Sequence, residues 1–505
     1  MSKKALIIGT LILTTANFVT KFMGFFYRVY MAKAIGTEGI GLYQLILPIY
    51  MLTWSITSSG FTTTISKLTA QEKAKGQYGN IRRILRQSIA MCLCISIFIS
   101  CVIWLGSNFI AIEILKESRT ALSLRILAFA IPFMSFGSCI RGYFFGMQNT
   151  AVPALSQVLE QLVRIVVIFL ISATFVPYGL AYACAAAVIG IVFGEIISFL
   201  FVLLCYLRDK KKKKHHSKPY FSRMQAFTLI TTMAIPLTAT RITSSLLSTI
   251  ENILIPQRLE LYGLSGSEAM STYGQLTGMA MPLLMLPSAL LMAISVSLVP
   301  EISEASAIRH TEKISRTVSA TILFTSIISI GAGTMFAIFP KEICYIIYNS
   351  SELGDILFCL SFICPFLYMQ MTFSGLLNGL GEHFFLFRNN IISSLITISF
   401  IYFLMPTFGV SAFLIGWFCS LVSTTYLSIR KLLSRTNISI SLMETFIKPL
   451  MAGVASGLIV RYLIQISEPS KILFIMTLFL MFLLYLVFLL VLGCLKKETF
   501  SLIRG

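Results

Sequence analysis

Charged residues are scarce in this chain of 505 residues, in which Asp, Glu, Lys and Arg together make up only 12%. Soluble domains carry about 25% charged residues. The hydrophobic share is 56%, and the mean hydropathy is +0.85. This scarcity of charge excludes a soluble globular protein and predicts a chain built from membrane-spanning segments of roughly 20 apolar residues each.

Metal-binding and nucleotide-binding patterns are also missing. The four His lie in polar loops, and the eleven Cys lie in apolar stretches without metal-ligand spacing. The sequence contains no G-x-x-x-x-G-K-[ST] phosphate-binding loop. We therefore expect no metal site, no cofactor, no enzymatic centre and no step driven by ATP hydrolysis within this chain.

Basic residues, by contrast, are in surplus: 40 Lys and Arg against 20 Asp and Glu give a net charge of +20. In a membrane protein this surplus is typical of cytoplasmic loops, so we do not expect nucleic-acid binding. Most of these residues fall in one alternate set of loops. The opposite set holds only Lys33, Lys116, Arg119, Arg258, Lys341 and Lys471. This bias predicts a multi-pass protein of the cytoplasmic membrane with both termini in the cytoplasm.

Apolar runs between polar breaks predict an all-α polytopic membrane protein with fourteen transmembrane helices. The first run has no small-residue cleavage site after it, so we interpret it as a span and not as a secretory signal. The predicted spans are residues 5–32, 40–66, 88–108, 122–146, 151–175, 178–206, 225–255, 270–299, 317–339, 356–380, 384–405, 409–429, 446–465 and 472–495.

The sequence also repeats itself. The run Gly36-Thr37-Glu38 with Tyr43 matches Gly266-Ser267-Glu268 with Tyr273, 230 positions later, and the set Pro132, Gly142 and Gly146 recurs 233 positions later. Each copy holds six spans, and an even number gives both copies the same orientation in the membrane. We predict an N-lobe (residues 1–206, helices 1–6), a basic cytoplasmic linker (207–224), a C-lobe (225–431, helices 7–12) and two further helices with the C-terminal tail (432–505). A central cavity between two parallel lobes is typical of an alternating-access carrier.

Charges inside the spans are candidate functional residues because a charge at mid-bilayer costs about 2.5–3.5 kcal/mol on insertion scales. Apart from residues counted with the adjoining loops, the predicted spans hold only three carboxylates but six cations, which are Lys21, Arg28, Arg125, Arg164, Arg241 and Arg461. Helical spacing places Asn17, Lys21 and Arg28 on one face of helix 1, and Arg241 and Glu251 on one face of helix 7. We predict that these five residues line the central cavity and bind the substrate. Surplus positive charge favours an anion, and Arg and Lys are natural phosphate ligands.

Three further charges have structural or coupling interpretations. Glu160 and Arg164 are four residues apart on helix 5, which predicts a structural ion pair. Glu195 has no partner that the sequence identifies. Glu195 and Glu251 are the candidate sites if transport is coupled to Na⁺ or H⁺, and the membrane potential is the alternative driving force.

Several motifs together resemble a known family. They are Lys21-Phe-Met-Gly-Phe-Phe-Tyr-Arg28, Gly36-Thr-Glu-Gly-Ile-Gly-Leu-Tyr43, Ser156-Gln-x-x-Glu160-Gln-x-x-Arg164, and Pro282-Leu-Leu-Met-Leu-Pro287 through Ser297-Leu-Val-Pro-Glu-Ile-Ser-Glu304. Over essentially the whole chain they resemble the stage V sporulation protein B family of polysaccharide-type lipid flippases. That family shares a superfamily with O-antigen flippases, the lipid II flippase and multidrug/toxin extruders.

The resemblance implies a substrate and a set of partners. It implies translocation of an undecaprenyl-pyrophosphate-linked sugar precursor for peptidoglycan or spore cortex, within the bilayer and alongside cell-wall synthesis enzymes. Lys21 matches the first basic residue of helix 1 in the lipid II flippase. Tyr27 takes the place of the second, with Arg28 one position later, and Trp54 with a Ser/Thr run replaces the basic residue of helix 2. The resemblance also implies that helices 13 and 14 form a groove for the lipid tail.

Two alternatives stay open at this point. The first is a cation-coupled multidrug exporter of the same fold, which the excess of cations within the spans argues against. The second is a membrane scaffold that recruits cell-wall enzymes through the basic linker.

Overall fold

The structure is a computed structural model that describes residues 3–212, 219–289, 291, 302, 311–436, 441–466 and 471–494. Several predicted features fall partly outside this range: the linker at residues 213–218, the span 270–299 with the motif that ends at residue 304 at residues 290, 292–301 and 303–304, and the C-terminal segment at residues 437–440, 467–470 and 495–505. The α-helices are α1 (Lys3–Trp54), α2 (Gly60–Ala74), α3 (Tyr78–Phe109), α4 (Ala121–Gly146), α5 (Ala151–Phe175), α6 (Leu180–Lys212), α7 (Arg223–Leu261), α8 (Gly266–Tyr273), α9 (Met281–Met285), α10 (Thr311–Ile338), α11 (Pro340–Tyr348), α12 (Leu353–Gly379), α13 (His383–Phe403), α14 (Met405–Phe408), α15 (Val410–Arg435), α16 (Lys448–Ile466) and α17 (Lys471–Val491).

The all-α membrane architecture is confirmed. Eleven helical stretches within the described residues are long and apolar enough to cross a membrane. The longest, Gly9–Ala74, holds two predicted spans, because Gly36 (φ 72, ψ 179) interrupts α1 in a conformation that favours glycine. The remaining predicted spans are 225–255, which lies within α7, and 270–299, of which the structure describes residues 270–289 and 291.

The two copies of the repeated motif meet where α8 packs on the second half of α1. The Thr37 and Ser271 hydroxyl groups are hydrogen-bonded at 2.6 Å. The Gln44 amide donates to the Thr277 carbonyl at 3.2 Å, and the Tyr273 hydroxyl donates to the Gln44 carbonyl at 3.4 Å. These three hydrogen bonds join the segment that carries one copy of the motif to the segment that carries the other.

The chain packs as two compact units, Met1–Gly278 and Met279–Gly505. The first unit contains α7 and α8 in addition to the six helices before the linker, because α7 packs against α1, α2 and α3. Packing groups helices by the faces they bury, whereas the predicted boundary at 207–224 follows the repeat. The division into an N-lobe and a C-lobe at that linker stays a prediction.

A short helix that we did not predict lies in the second unit. Residues 340–348 form α11, in which Pro340 occupies the first turn and Asn349 ends the helix in a left-handed conformation (φ 61, ψ 28). Ile343 and Cys344 are buried, and the hydroxyl group of Tyr348 donates to the Met279 carbonyl at 3.1 Å. The sequence analysis missed this helix because nine residues are too few to register as a span.

Candidate functional site

A polar groove of about 330 Å³ lies between the second half of α1 and α7 in the first unit. Hydroxyl and amide groups and a few apolar side chains line it: Gln44, Leu47, Pro48, Met51, Ser244, Ser245, Ser248, Thr249 and Asn252. Two hydrogen bonds connect its two walls. The Ser55 and Ser245 hydroxyl groups are 2.5 Å apart, and the Thr249 hydroxyl donates to the Pro48 carbonyl at 3.3 Å. We call this feature the polar groove.

Arg241 and Glu251 flank the polar groove along α7. Helical spacing puts Arg241 on the face of Ser244, Ser245 and Ser248, one turn before them, and its side chain is exposed. Glu251 is half-buried, directly before Asn252 at the other end of the groove. A flexible cation at one end of a hydroxyl-lined groove can bind an oxyanion and supply neutral donors for the groups attached to it.

The predicted stripe on helix 1 lies outside the lining of the polar groove. Asn17 and Lys21 are exposed, and Arg28 is half-buried. Phe18, Phe22 and Phe26 form a separate row one residue further round the helix. Successive rings in that row are 5.1 Å and 6.1 Å apart. The first half of α1 therefore presents a polar face and an aromatic face side by side.

Glu160 and Arg164 form the ion pair that the sequence predicts, with 2.7 Å between the carboxylate and the guanidinium group. Their side chains are 19% and 17% exposed. Two glycines on α6 allow α5 to approach at this level. A Cβ atom on Gly194 would lie 2.9 Å from the Glu160 carbonyl oxygen, and one on Gly190 would lie 3.1 Å from that of Arg164. A G-x-x-x-G spacing of this kind brings membrane helices into backbone contact.

Glu195 has a partner that only the structure reveals. The hydroxyl group of Tyr50, on the second half of α1, donates to Glu195 Oε1 at 2.5 Å. The Glu195 side chain is buried, and its Oε2 has no hydrogen-bond partner among the described residues. One turn further along α6, Ser198 accepts a hydrogen bond from Arg141 at 3.2 Å. We call Tyr50, Arg141, Glu160, Arg164 and Glu195 the charged cluster.

The predicted residues therefore fall into three places. Arg241 and Glu251 lie along the polar groove, Asn17, Lys21 and Arg28 lie on the polar face of α1, and Glu160, Arg164 and Glu195 lie in the charged cluster. Four uncharged residues of the groove lining were not predicted, because the search of the spans began from charged side chains: Gln44, Ser245, Thr249 and Asn252. Three of them did carry a signal, since Ser245, Thr249 and Asn252 recur on α7 at helical spacing.

Comparison with known proteins identifies the family. Residues 6–306 match the family described as polysaccharide biosynthesis protein. The chain is also 30% identical to stage V sporulation protein B of Bacillus subtilis (strain 168) over 473 residues, which cover 92% of this chain and 91% of the relative. The chain belongs to the polysaccharide biosynthesis protein family. The resemblance noted from the motifs is thereby confirmed.

Solved structures show the fold of this polysaccharide biosynthesis family member. A lipid II flippase MurJ in the inward closed conformation matches with a TM-score of 0.72 and 16% identity, over 95% of this chain and 98% of that one. A multidrug resistance MATE family transporter of the MOP superfamily, in an inward-facing conformation, matches with a TM-score of 0.65 and 14% identity, over 85% and 97%. The fold is therefore shared by proteins named for two different kinds of substrate.

Proposed function

We propose that this protein is a flippase that moves an undecaprenyl-pyrophosphate-linked cell-wall precursor from the inner to the outer leaflet by alternating access. The observation that carries the proposal is the position of Arg241 beside the hydroxyl-lined polar groove. A pyrophosphate needs cationic ligands, and the sugars attached to it need hydroxyl and amide partners. The family membership and the flippase-like fold support the same function.

The surplus of cations within the spans favours this substrate over an organic cation. A multidrug exporter of cations would present carboxylates in its cavity, whereas the predicted spans 5–32 and 225–255 hold Lys21, Arg28 and Arg241 against Glu251 alone. We propose a lipid II-type peptidoglycan intermediate as the substrate. More specifically, we propose that this intermediate is used to build the spore cortex. The name of the Bacillus subtilis relative supports a role in sporulation.

The membrane potential is the driving force that we favour. We propose that the basic loops and both termini lie in the cytoplasm, so outward transfer of a pyrophosphate moves negative charge away from a negative interior. Each elementary charge that crosses 100 mV contributes about 2.3 kcal/mol, so roughly two charges contribute about 4–5 kcal/mol.

We further propose that Glu195 couples this movement to the uptake of H⁺ or Na⁺. A buried carboxylate with one oxygen unpartnered is costly unless it binds a proton or a cation. The charged and titratable groups that face it are Tyr50 from α1, Arg141 from α4, and Glu160 and Arg164 from α5. Glu195→Gln should make transport independent of pH and Na⁺ between pH 6 and pH 8. An unchanged pH and Na⁺ dependence would refute the coupling while leaving the flippase proposal intact.

The flippase proposal is tested in liposomes that contain the purified protein and fluorescent lipid II, with and without an imposed potential that is negative inside. Translocation should occur with the wild-type chain and should be lost in the double variant Lys21→Gln, Arg241→Gln. Arg125→Gln is the matched control, because Arg125 is also a cation within a span but binds Ser107 and Asn108 at 2.9 Å and 3.1 Å. Full activity of the double variant would contradict the proposal, as would inactivity of the folded wild-type protein.

The scaffold hypothesis predicts a different pattern. Deletion of Lys210–Lys214 should abolish a scaffold function in cells but leave translocation in liposomes close to the wild-type rate. A deletion that stops translocation in liposomes would show that the linker acts in transport itself.

A further inference from the structure

A second polar cavity, strongly basic, lies at the N-terminal end of α3, beside the segment that leads into α7. Its volume is about 390 Å³, and the described residues that line it include no carboxylate. We call it the arginine groove, and its lining residues are Gly79, Arg82, Arg83, Arg86, Gln87, Pro219 and Arg223. None of these residues lines the polar groove or belongs to the charged cluster.

Hydrogen bonds hold the wall of the arginine groove in place. Asn80 is fully buried, and its side-chain oxygen accepts hydrogen bonds from the backbone amides of Tyr220 and Phe221 at 2.8 Å and 3.1 Å. The Arg83 guanidinium group donates to the Phe221 carbonyl from the other side. The segment before α7 is thereby held against α3, so a ligand would not have to order it, and preorganisation of this kind favours binding.

The second copy of the repeat lacks this concentration of charge. At the 233 offset, Ser315 and Ser319 replace Arg82 and Arg86. Arg316 takes the place of Arg83 but forms an ion pair with Glu312, and Glu312 takes the place of Gly79. Both loops belong to the same predicted side of the membrane. A general preference for basic loops on that side therefore does not account for Arg82 and Arg86, whose counterparts are serines.

Two of the four arginines are available to a ligand. Arg86 and Arg223 are exposed and form no ion pair or hydrogen bond with the described residues. A guanidinium group donates in a planar fork that matches phosphate oxygens. Two such groups facing one cavity suit a phosphate ester.

Apolar side chains next to the arginine groove indicate a lipid as the source of that phosphate. Tyr220 is 83% exposed, Met224 is 71% exposed, and Phe227 on the next turn of α7 is 39% exposed. Tyrosine is enriched at the level of the lipid headgroups, and basic pockets between membrane helices bind anionic headgroups. Free inorganic phosphate would make no favourable contact with these apolar side chains, whereas the acyl chains of a lipid would.

We propose that the arginine groove binds the phosphate of an anionic phospholipid, with the acyl chains along the exposed apolar side chains of α7. Arg86 and Arg223 contact the phosphate, while Arg83 and Asn80 hold the wall. Such a lipid lies between the N-terminal ends of α3 and α7 and stabilises their packing. The proposal does not depend on the transported substrate.

Native mass spectrometry of the detergent-purified full chain tests the proposal with added phosphatidylglycerol and phosphatidylcholine. The wild-type chain should bind one phosphatidylglycerol molecule at concentrations at which phosphatidylcholine does not bind. Arg86→Gln with Arg223→Gln should weaken this binding about twenty-five-fold, since each basic residue near an anionic lipid contributes about 1 kcal/mol, or about fivefold. High salt should also weaken it. Equal binding of the two lipids would overturn the proposal.

Two controls make the result specific. Arg316→Gln removes the equivalent arginine of the second copy and should leave phosphatidylglycerol binding unchanged. The double variant should melt at the wild-type temperature in lipid-free detergent, because both of its side chains are exposed. Unchanged binding in the double variant would overturn the proposal. So would inorganic pyrophosphate that displaces the lipid at equal concentration, since that would identify a site for free phosphate.

Discussion

The pair α5–α6 and its counterpart α13–α15 bury polar groups of different kinds. Counted from Gly146 and Gly379, Ser393 and Thr397 take the places of Glu160 and Arg164. The later helices of the two pairs can be aligned on Gly179 and Gly409, which directly precede α6 and α15 and both have positive φ. In this alignment Thr425 takes the place of Glu195. The first copy of the repeat therefore has charged residues at three positions where the second copy has uncharged ones.

The neutral copy is held together by hydroxyl and amide groups. The Ser393 and Ser420 hydroxyl groups are 2.6 Å apart. The Asn389 side chain donates to the Thr424 carbonyl at 3.2 Å and to the Ser428 hydroxyl at 3.1 Å. These groups lose far less solvation energy on entering the membrane than an ion does.

This difference shows that the architecture itself does not require charge between these two helices. Because α13 and α15 pack with uncharged groups, we infer that the charged cluster serves a purpose other than joining α5 to α6. A buried ion pair is often neutral for stability relative to a well-packed replacement. The asymmetry therefore favours a role in transport, in agreement with the coupling that we propose for Glu195.

Removing one partner of the Glu160–Arg164 ion pair should give the largest difference in stability between variants of the two copies. Arg164→Ala leaves the Glu160 carboxylate buried without its cation, which costs about 3–5 kcal/mol at a fully buried site. Because both side chains keep some exposure, we expect the free energy of unfolding to fall by about 2–3 kcal/mol. Thr397→Ala at the equivalent position should cost less than about 1 kcal/mol. Thermal unfolding of the purified variants measures both effects.

The matched control transfers the neutral residues into the charged copy. Glu160→Ser combined with Arg164→Thr should unfold within about 1 kcal/mol of the wild type, since no unpaired charge remains. A double variant as unstable as Arg164→Ala would show that the ion pair does hold α5 and α6 together, and our interpretation of the asymmetry would be wrong.

The close approach of the two helices should give the next largest effect. In Gly194→Ala the new Cβ atom would lie 2.9 Å from the Glu160 carbonyl oxygen, so α5 must move. Overpacking of this kind costs about 1–3 kcal/mol. Gly106→Ala is the control, because a Cβ atom there has its nearest neighbour at 4.0 Å, and it should be neutral or slightly stabilising. Equal melting temperatures for the two variants would contradict the helix contact.

The ion pairs at the ends of the second copy should give the smallest effect. Glu382 contacts Lys431 at 3.2 Å and Arg435 at 2.6 Å. Desolvation opposes ionisation of Glu382, but the two cations outweigh it and lower its pKa. The resulting stabilisation is present above the unfolded-state pKa of about 4.3 and is lost as the pH falls through the lower folded-state value.

Glu382→Gln should therefore destabilise the protein by less than about 1 kcal/mol at neutral pH and reduce the loss of stability below about pH 4. Glu352→Gln removes an exposed carboxylate and is the control for the change in net charge. The measurement is the melting temperature from pH 7 to pH 3. If Glu382→Gln and the wild type lose stability in parallel over this range, the ion pairs do not contribute.

Prediction from sequence succeeded where a single helix carries the information. The spacing of Glu160 and Arg164 implies an ion pair because residues four apart lie on one helix face. Asn17, Lys21 and Arg28 fall on one face for the same reason. The partner of Glu195 could not be found in this way, because Tyr50 belongs to a helix 145 positions away and only packing brings the two together.

The sequence by itself determined that the chain spans a membrane, that its helices are duplicated, and that its few charges within the spans are mostly positive. Composition and periodicity carry those facts because the bilayer penalises charge residue by residue. Tertiary structure alone decided that α7 and α8 pack with the first six helices, that hydroxyl groups of two distant helices form one polar groove, and that a buried asparagine holds the arginine groove open. These three features depend on which helix faces pack against each other, and that is determined by close packing between segments that are distant in the sequence.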